Sequence, residues 1–163
     1  MAKVQDNISG SDKVIDFLET RDRRQRLGQT IDALLNERQD VLIAYGQLIG
    51  LDQNNKQFGQ VDIQQLRGFC QILVDYIALG HFEIYQRIIE GEERRVVVQQ
   101  AAKDVYPAIA ESTDLLVDFN DKYDDYVPED DESELFQDLS KVGEVLAIRA
   151  ELEDKIILSL KQG

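Results

Sequence analysis

A chain of 163 residues, 43% apolar and carrying a formal charge of −14, has the dimensions of one soluble domain with its own core. A single cysteine excludes an internal disulfide framework, and the acidic excess argues against binding nucleic acid by neutralising phosphates. The opening "MAKVQDNISG" has no apolar signal region and no run approaches the roughly 18 apolar residues of a membrane span, so a cytoplasmic protein is expected.

Helix formers dominate, prolines number two, and β-branched alternation is never sustained, which predicts an all-α chain. Residues 1–10 read as a flexible N-terminus and 11–163 as one helical-bundle domain. A first helical segment is expected from Ser11 to Arg26, capped by Ser11 or Asp12, with Gly28 breaking or weakening the join to the next. That next helix, Gln29 to Ile49, spaces Ile31, Leu34, Leu35, Leu42, Tyr45 and Ile49 for a core, and Gly50 supplies a stop. The segment 51–60 has loop composition.

A third helix from about Val61 carries a clean apolar stripe of Leu66, Phe69, Cys70, Leu73 and Ile77. Gly80 terminates or kinks it, and Ile84 and Ile88 resume the pattern. Another helix is expected from about Glu92, ended or bent at Pro107 and continuing through Leu115, Leu116, Phe119 and Tyr123. The last, Glu132 to Leu160, carries Leu135, Leu139, Val142, Leu146, Leu152, Ile156 and Leu160, with Asp131 and Glu134 placed as a capping-box pair. Four long amphipathic helices, with shorter N-terminal and connecting segments, predict an antiparallel bundle.

Charge is distributed in two poles. Twelve acids and one base, Lys122, fall between Glu111 and Asp138, eleven of the fourteen net negative charges. "RDRRQR", residues 21–26, is the opposite accent.

Catalytic chemistry is not indicated. One histidine and one cysteine cannot build a zinc site or the paired Glu-x-x-His elements of a di-iron bundle, and no Gly-rich phosphate loop occurs. Cys70 lies in the apolar stripe and reads as an inert core thiol. His81 beside Glu83 lacks a nucleophile or oxyanion device, so no enzyme, metal or cofactor is expected. If the third helix runs through Gly80, Asp75, Leu79, Phe82 and Gln86 share a second face, with Glu83 alongside. Periodicity alone leaves two readings of that face, a central bundle helix or a partner-binding surface ringed by charge.

The stretch "FCQILVDYIALGHFEIYQRI" resembles the signature of the Rsd/AlgQ family of bacterial anti-sigma regulators, approximately FCQ-x-LVDY-x-x-x-GHF-x-x-Y. "DALLNERQDVLIAYGQLIG" (32–50) and "LSKVGEVLAIRAELEDKIILSL" (139–160) resemble the family's early and final helices, so the likeness spans about 30–160 in order. The first 28 or so residues, with "RDRRQR", match less well, and a serine common before the family's Gly-His-Phe is absent from "ALGHF". The resemblance implies an anti-sigma factor that binds the housekeeping sigma factor of RNA polymerase one to one, through its C-terminal, −35-reading helix-turn-helix, in slow growth or stationary phase. It implies a sigma-contacting role for Asp75, which lies on the second face read from spacing; Leu79, Phe82, Glu83, Tyr85, Gln86 and His81 complete the partner-binding set expected there. An adaptor for a metabolic or stress-signalling protein is the alternative.

Overall fold

The computed structural model describes residues 10–50, 61–89 and 93–161; the expected loop at 51–60 and the expected helix start at Glu92 lie outside them. Among the described residues are five α-helices: α1 (Gly10–Ile49), α2 (Ile63–Gly80), α3 (Gln86–Ile89), α4 (Val96–Tyr123) and α5 (Ser133–Lys161). A single π-helical turn, His81–Tyr85, joins α2 to α3 without a break. No strand occurs among the described residues.

Side-chain contacts set the topology. Tyr45 meets Phe69 while Leu34 approaches Gly80, so α1 and α2 run antiparallel. Phe69 packs edge-on to Phe119 of α4. Helix α5 returns along α4, with Tyr123 against Asp138 at one end and Arg95 donating to the Leu160 carbonyl at the other. The result is an up-down-up-down bundle of α1, α2–α3, α4 and α5.

Of the alternatives expected at Gly28 and Pro107, neither residue ends a helix. Helix α1 runs through Gly28, whose Cα faces open solvent, because Leu27, Ile31 and Leu34 seat the chain on the bundle immediately beyond it. The expected first two helices are therefore one. Pro107 also sits inside a continuous α4, projecting to solvent while Val105 and Ile109 on either side are buried. Packing of those two anchors offsets the backbone hydrogen bond that proline removes. At about 1.5 Å per residue α1 is about 60 Å long and α5 about 43 Å, so the N-terminal part of α1 overhangs the bundle. Residues 10–26 of that overhang are exposed except for Thr20, and Val14, Ile15, Phe17 and Leu18 face solvent.

The stripes of α2 and α5 are buried as expected, Leu152 only in part. That of α1 is shifted. Val41 and Leu48 are buried, whereas Leu42 and Ile49 are exposed. The true stripe is Ile31, Leu34, Arg38, Val41, Tyr45 and Leu48, with polar groups at two of its positions. Tyr45 donates to the Leu139 carbonyl at 2.8 Å and lies flat against Gly143, where an added Cβ would be 2.2 Å from its hydroxyl.

Helix ends follow local chemistry. Asp62 caps α2, accepting from the amides of Gln64 and Gln65. Gly50 stops α1 with a φ of 84°, a conformation glycine adopts freely. Asp131 accepts from the Ser133 amide at 3.0 Å, but Glu134 does not complete the expected box with it: its carboxylate pairs with Lys122 of α4 at 2.6 Å.

Candidate functional site

The segment from Phe69 to Ile88 divides its side chains between two environments. Inward, Tyr76, Tyr85 and Gly80 meet a charged pair on α5, Arg149 and Glu153, which are 0% and 1% exposed. Tyr76 donates to Glu153 Oε1 in a short hydrogen bond, and Tyr85 donates to Oε2 at 3.0 Å. Arg38 of α1 adds its guanidinium 3.5 Å from Oε1 while holding Asp154 at 2.9 Å. Arg149 donates to the hydroxyls of Ser112 and Thr113 of α4 at 2.9 and 2.8 Å. Its Nε is 3.6 Å from Glu153, an ion pair too long for a hydrogen bond, and Nε and Nη2 have no hydrogen-bond acceptor. The rings of Tyr76 and Tyr85, at 5.3 and 5.9 Å, face the cation instead. Gly80 is where the backbone comes closest: a Cβ there would meet Tyr85 at 3.2 Å and Arg149 at 3.5 Å.

The π turn makes this arrangement possible. Its extra residue closes an i→i+5 bond from the Gln86 amide to the His81 carbonyl and rotates the downstream helix by about 100°, one residue's worth of turn. Tyr85 is thereby swung into the core, 2% exposed, and is unavailable as the apolar partner contact expected of it. Burial first, then the charge of Glu153, push the hydroxyls of Tyr76 and Tyr85 well above the usual tyrosine range.

Outward, the same segment presents Asp75 and Val74 to solvent, and Phe82 at the π turn is 59% exposed. His81, half-buried, stacks edge-on to Phe82 at 4.9 Å. Leu79 is half-buried against the core, Gln86 is half-buried, and Glu83 pairs with Arg87 at 3.1 Å. Of Asp75, Leu79, Phe82 and Gln86, Asp75 and Phe82 are the fully exposed members. Beside Asp75 an open groove of about 540 Å³ runs between α2 and α4, lined by Arg67, Cys70, Gln71, Val74, Asn120 and Asp124. Burial and then the charge of Asp124 push the Cys70 thiol up to about 11, so it stays protonated at neutral pH.

The acidic segment is also divided. Glu132 is buried, accepting from the Val61 amide and the Tyr126 hydroxyl, and Asp138 takes Lys122 at 2.8 Å. Glu111, Asp114, Asp118, Asp121, Asp124 and Asp125 remain exposed along α4 and just beyond its end. No group of three or more metal-ligating side chains occurs among the described residues. No helix among them is long and apolar enough to cross a membrane.

A family model described as "Regulator of RNA polymerase sigma(70) subunit, Rsd/AlgQ" matches residues 13–161. The chain belongs to the Rsd/AlgQ family. Proteins named "Regulator of sigma D" are similar to it over most of both lengths. The Salmonella paratyphi A protein is 35% identical, covering 78% of this chain and 79% of its own. Those of Yersinia enterocolitica and Escherichia coli are each 36% identical, covering 82% and 83%, and 78% and 81%, respectively. Membership in Rsd/AlgQ places the chain among regulators rather than enzymes. Within the Rsd/AlgQ signature, Tyr76, Gly80 and Tyr85 serve the buried centre, and Asp75 and Phe82 are left to the surface.

Proposed function

We propose that this chain is an anti-sigma factor that binds the C-terminal, −35-reading helix-turn-helix region of the housekeeping sigma factor, one to one, and sequesters it as growth slows. The observation that carries this reading is the exposure of Asp75 and Phe82 on the outer side of α2 and the π turn, next to a groove that ends in Asp124. A domain built to grip DNA phosphates is basic, and an acidic surface steers toward it and competes for the same side chains. In this reading Asp75 pairs with an arginine or lysine of the sigma factor. Phe82, with Val74 and the accessible part of Leu79, supplies apolar burial.

Isothermal titration with the isolated C-terminal domain of the chain's own housekeeping sigma factor, at two salt concentrations, tests it. One-to-one binding that weakens with salt and is lost in Asp75→Ala supports the reading. Absence of binding at tens of micromolar overturns it. A second reading, an adaptor for a signalling protein, is favoured by the solvent-facing Val14, Phe17 and Leu18 of the overhang, which the sigma surface does not use. A partner recovered equally by wild type and Asp75→Ala, and lost in Phe17→Ser, would support it.

A further inference from the structure

In a chain of net charge −14, one pocket gathers six arginines. It lies where the overhang of α1 meets the link between α3 and α4, and its volume is about 380 Å³. Arg23, Arg24 and Arg26 come from α1, and Arg87, Arg94 and Arg95 from the opposite wall. Among the described residues, Glu93 is the only carboxylate in the lining. The basic pole "RDRRQR" is thus half of a composite site whose other half lies some sixty residues on.

The arginines are not equivalent. Arg95 is fixed by Glu93 at 2.8 Å and by the Leu160 carbonyl at 3.0 Å, and forms a rigid back wall. Arg26 and Arg87 hold Asp22 and Glu83 in exposed i, i+4 pairs, a kind of contact readily exchanged for a better anion. Arg24 and Arg94 are exposed and make no hydrogen bond or ion pair among the described residues. Glu93 reports the local field: burial raises its carboxyl, but hydrogen bonds from Arg95 and the charges of Arg95 and Arg24 outweigh that and hold it below the usual range.

We propose that this pocket binds a compact oligophosphate, the di- or triphosphate group of a nucleotide or its inorganic counterpart. Guanidinium forks match phosphate oxygens in pairs, and several converging arginines suit multiply charged phosphate chains better than a single carboxylate. The volume falls within the roughly 300–1,000 Å³ of small-molecule sites. A long polyanion such as nucleic acid would run from the pocket over the acidic body, so the field favours a short one. Bound phosphate would bridge α1 to the α3–α4 link and fasten the root of the overhang to the bundle.

The test is titration of the full chain with inorganic tripolyphosphate in magnesium-free buffer, in parallel with ATP, AMP and a hepta-glutamate peptide. Saturable one-to-one binding of tripolyphosphate or ATP is expected, weakening with salt and exceeding AMP and the peptide. Arg24→Gln/Arg94→Gln should weaken it about tenfold or more, since both lost contacts are charge-assisted. Both side chains are exposed, so the circular dichroism and Tm of that variant should match wild type, and Lys141→Gln on the exposed side of α5 should bind unchanged. ATP binding more tightly than tripolyphosphate identifies a nucleotide as the ligand; the reverse identifies the phosphate chain. No saturable binding at millimolar ligand, equal binding by the double variant, or equal binding of the peptide would each overturn the proposal.

Discussion

Asp75 and Tyr76 are neighbours in sequence and opposites in circumstance. Tyr76 is sealed in the bundle against a buried carboxylate, and Asp75 stands in solvent beside a groove. The same division recurs about two turns on, where Phe82 is exposed and Tyr85 is bonded to Glu153. The family signature is thus two messages written on one helix. One sets the position of α2 against α5 and the other shapes what a partner meets. The inward message is costly to alter because its charges cannot retreat to water, whereas the outward one can change without unfolding the chain.

That contrast can be broken most severely at Glu153. Glu153→Ala leaves Arg149 buried without its carboxylate and removes the acceptor of two tyrosine hydroxyls, and should cost about 3–5 kcal/mol in urea unfolding. Phe82→Ala is the complementary case. Titration with the sigma domain should show a loss of about 2 kcal/mol or more, while unfolding stability moves by less than about 0.5 kcal/mol. Equal losses in both measurements would show that the two faces are not separable.

Alkaline pH probes the inward side through its two tyrosines. The folded chain holds the Tyr76 and Tyr85 protons that the unfolded chain releases near pH 10. Their contribution is therefore complete below that pH and is lost above it, by about 1.4 kcal/mol per pH unit for each tyrosine. Stability followed from pH 9 to 11 should fall less steeply in Tyr85→Phe. The smallest effect is expected at Gly28, which is helical with open space around its Cα. Gly28→Ala should stabilise by about 0.5–1 kcal/mol without changing sigma binding, a control that belongs to neither face.

The helices of the bundle and the core stripe of α2 are legible in the sequence because their apolar residues recur without interruption. The stripes of α1 and α5 are harder for a shared reason: each carries charge at core positions. In α5 the steps Leu139, Val142, Leu146, Arg149, Glu153, Ile156, Leu160 alternate three and four throughout, yet a hydrophobic reading passes over Arg149 and Glu153 to Leu152. In α1, skipping Arg38 shifts the apparent stripe to Leu42 and Ile49, which are exposed. The interruption of a perfect three-four alternation by an i, i+4 Arg–Glu pair is the available signal. Exposure of Asp75 and Phe82 is legible from spacing, but the loss of Tyr85 to the core is not. It depends on one inserted residue in a π turn, which side-chain periodicity does not encode. Nor does composition join "RDRRQR" to Arg87, Arg94 and Arg95, since that proximity is made by tertiary packing.

The chain has no tryptophan, so its near-ultraviolet signals come from six tyrosines and six phenylalanines. Two of those tyrosines are clamped between a guanidinium and a carboxylate at the centre of the bundle. The protein therefore carries its own optical gauge. Tyrosine emission and near-ultraviolet dichroism read the integrity of the Arg149–Glu153 pair, with no label and no added chromophore.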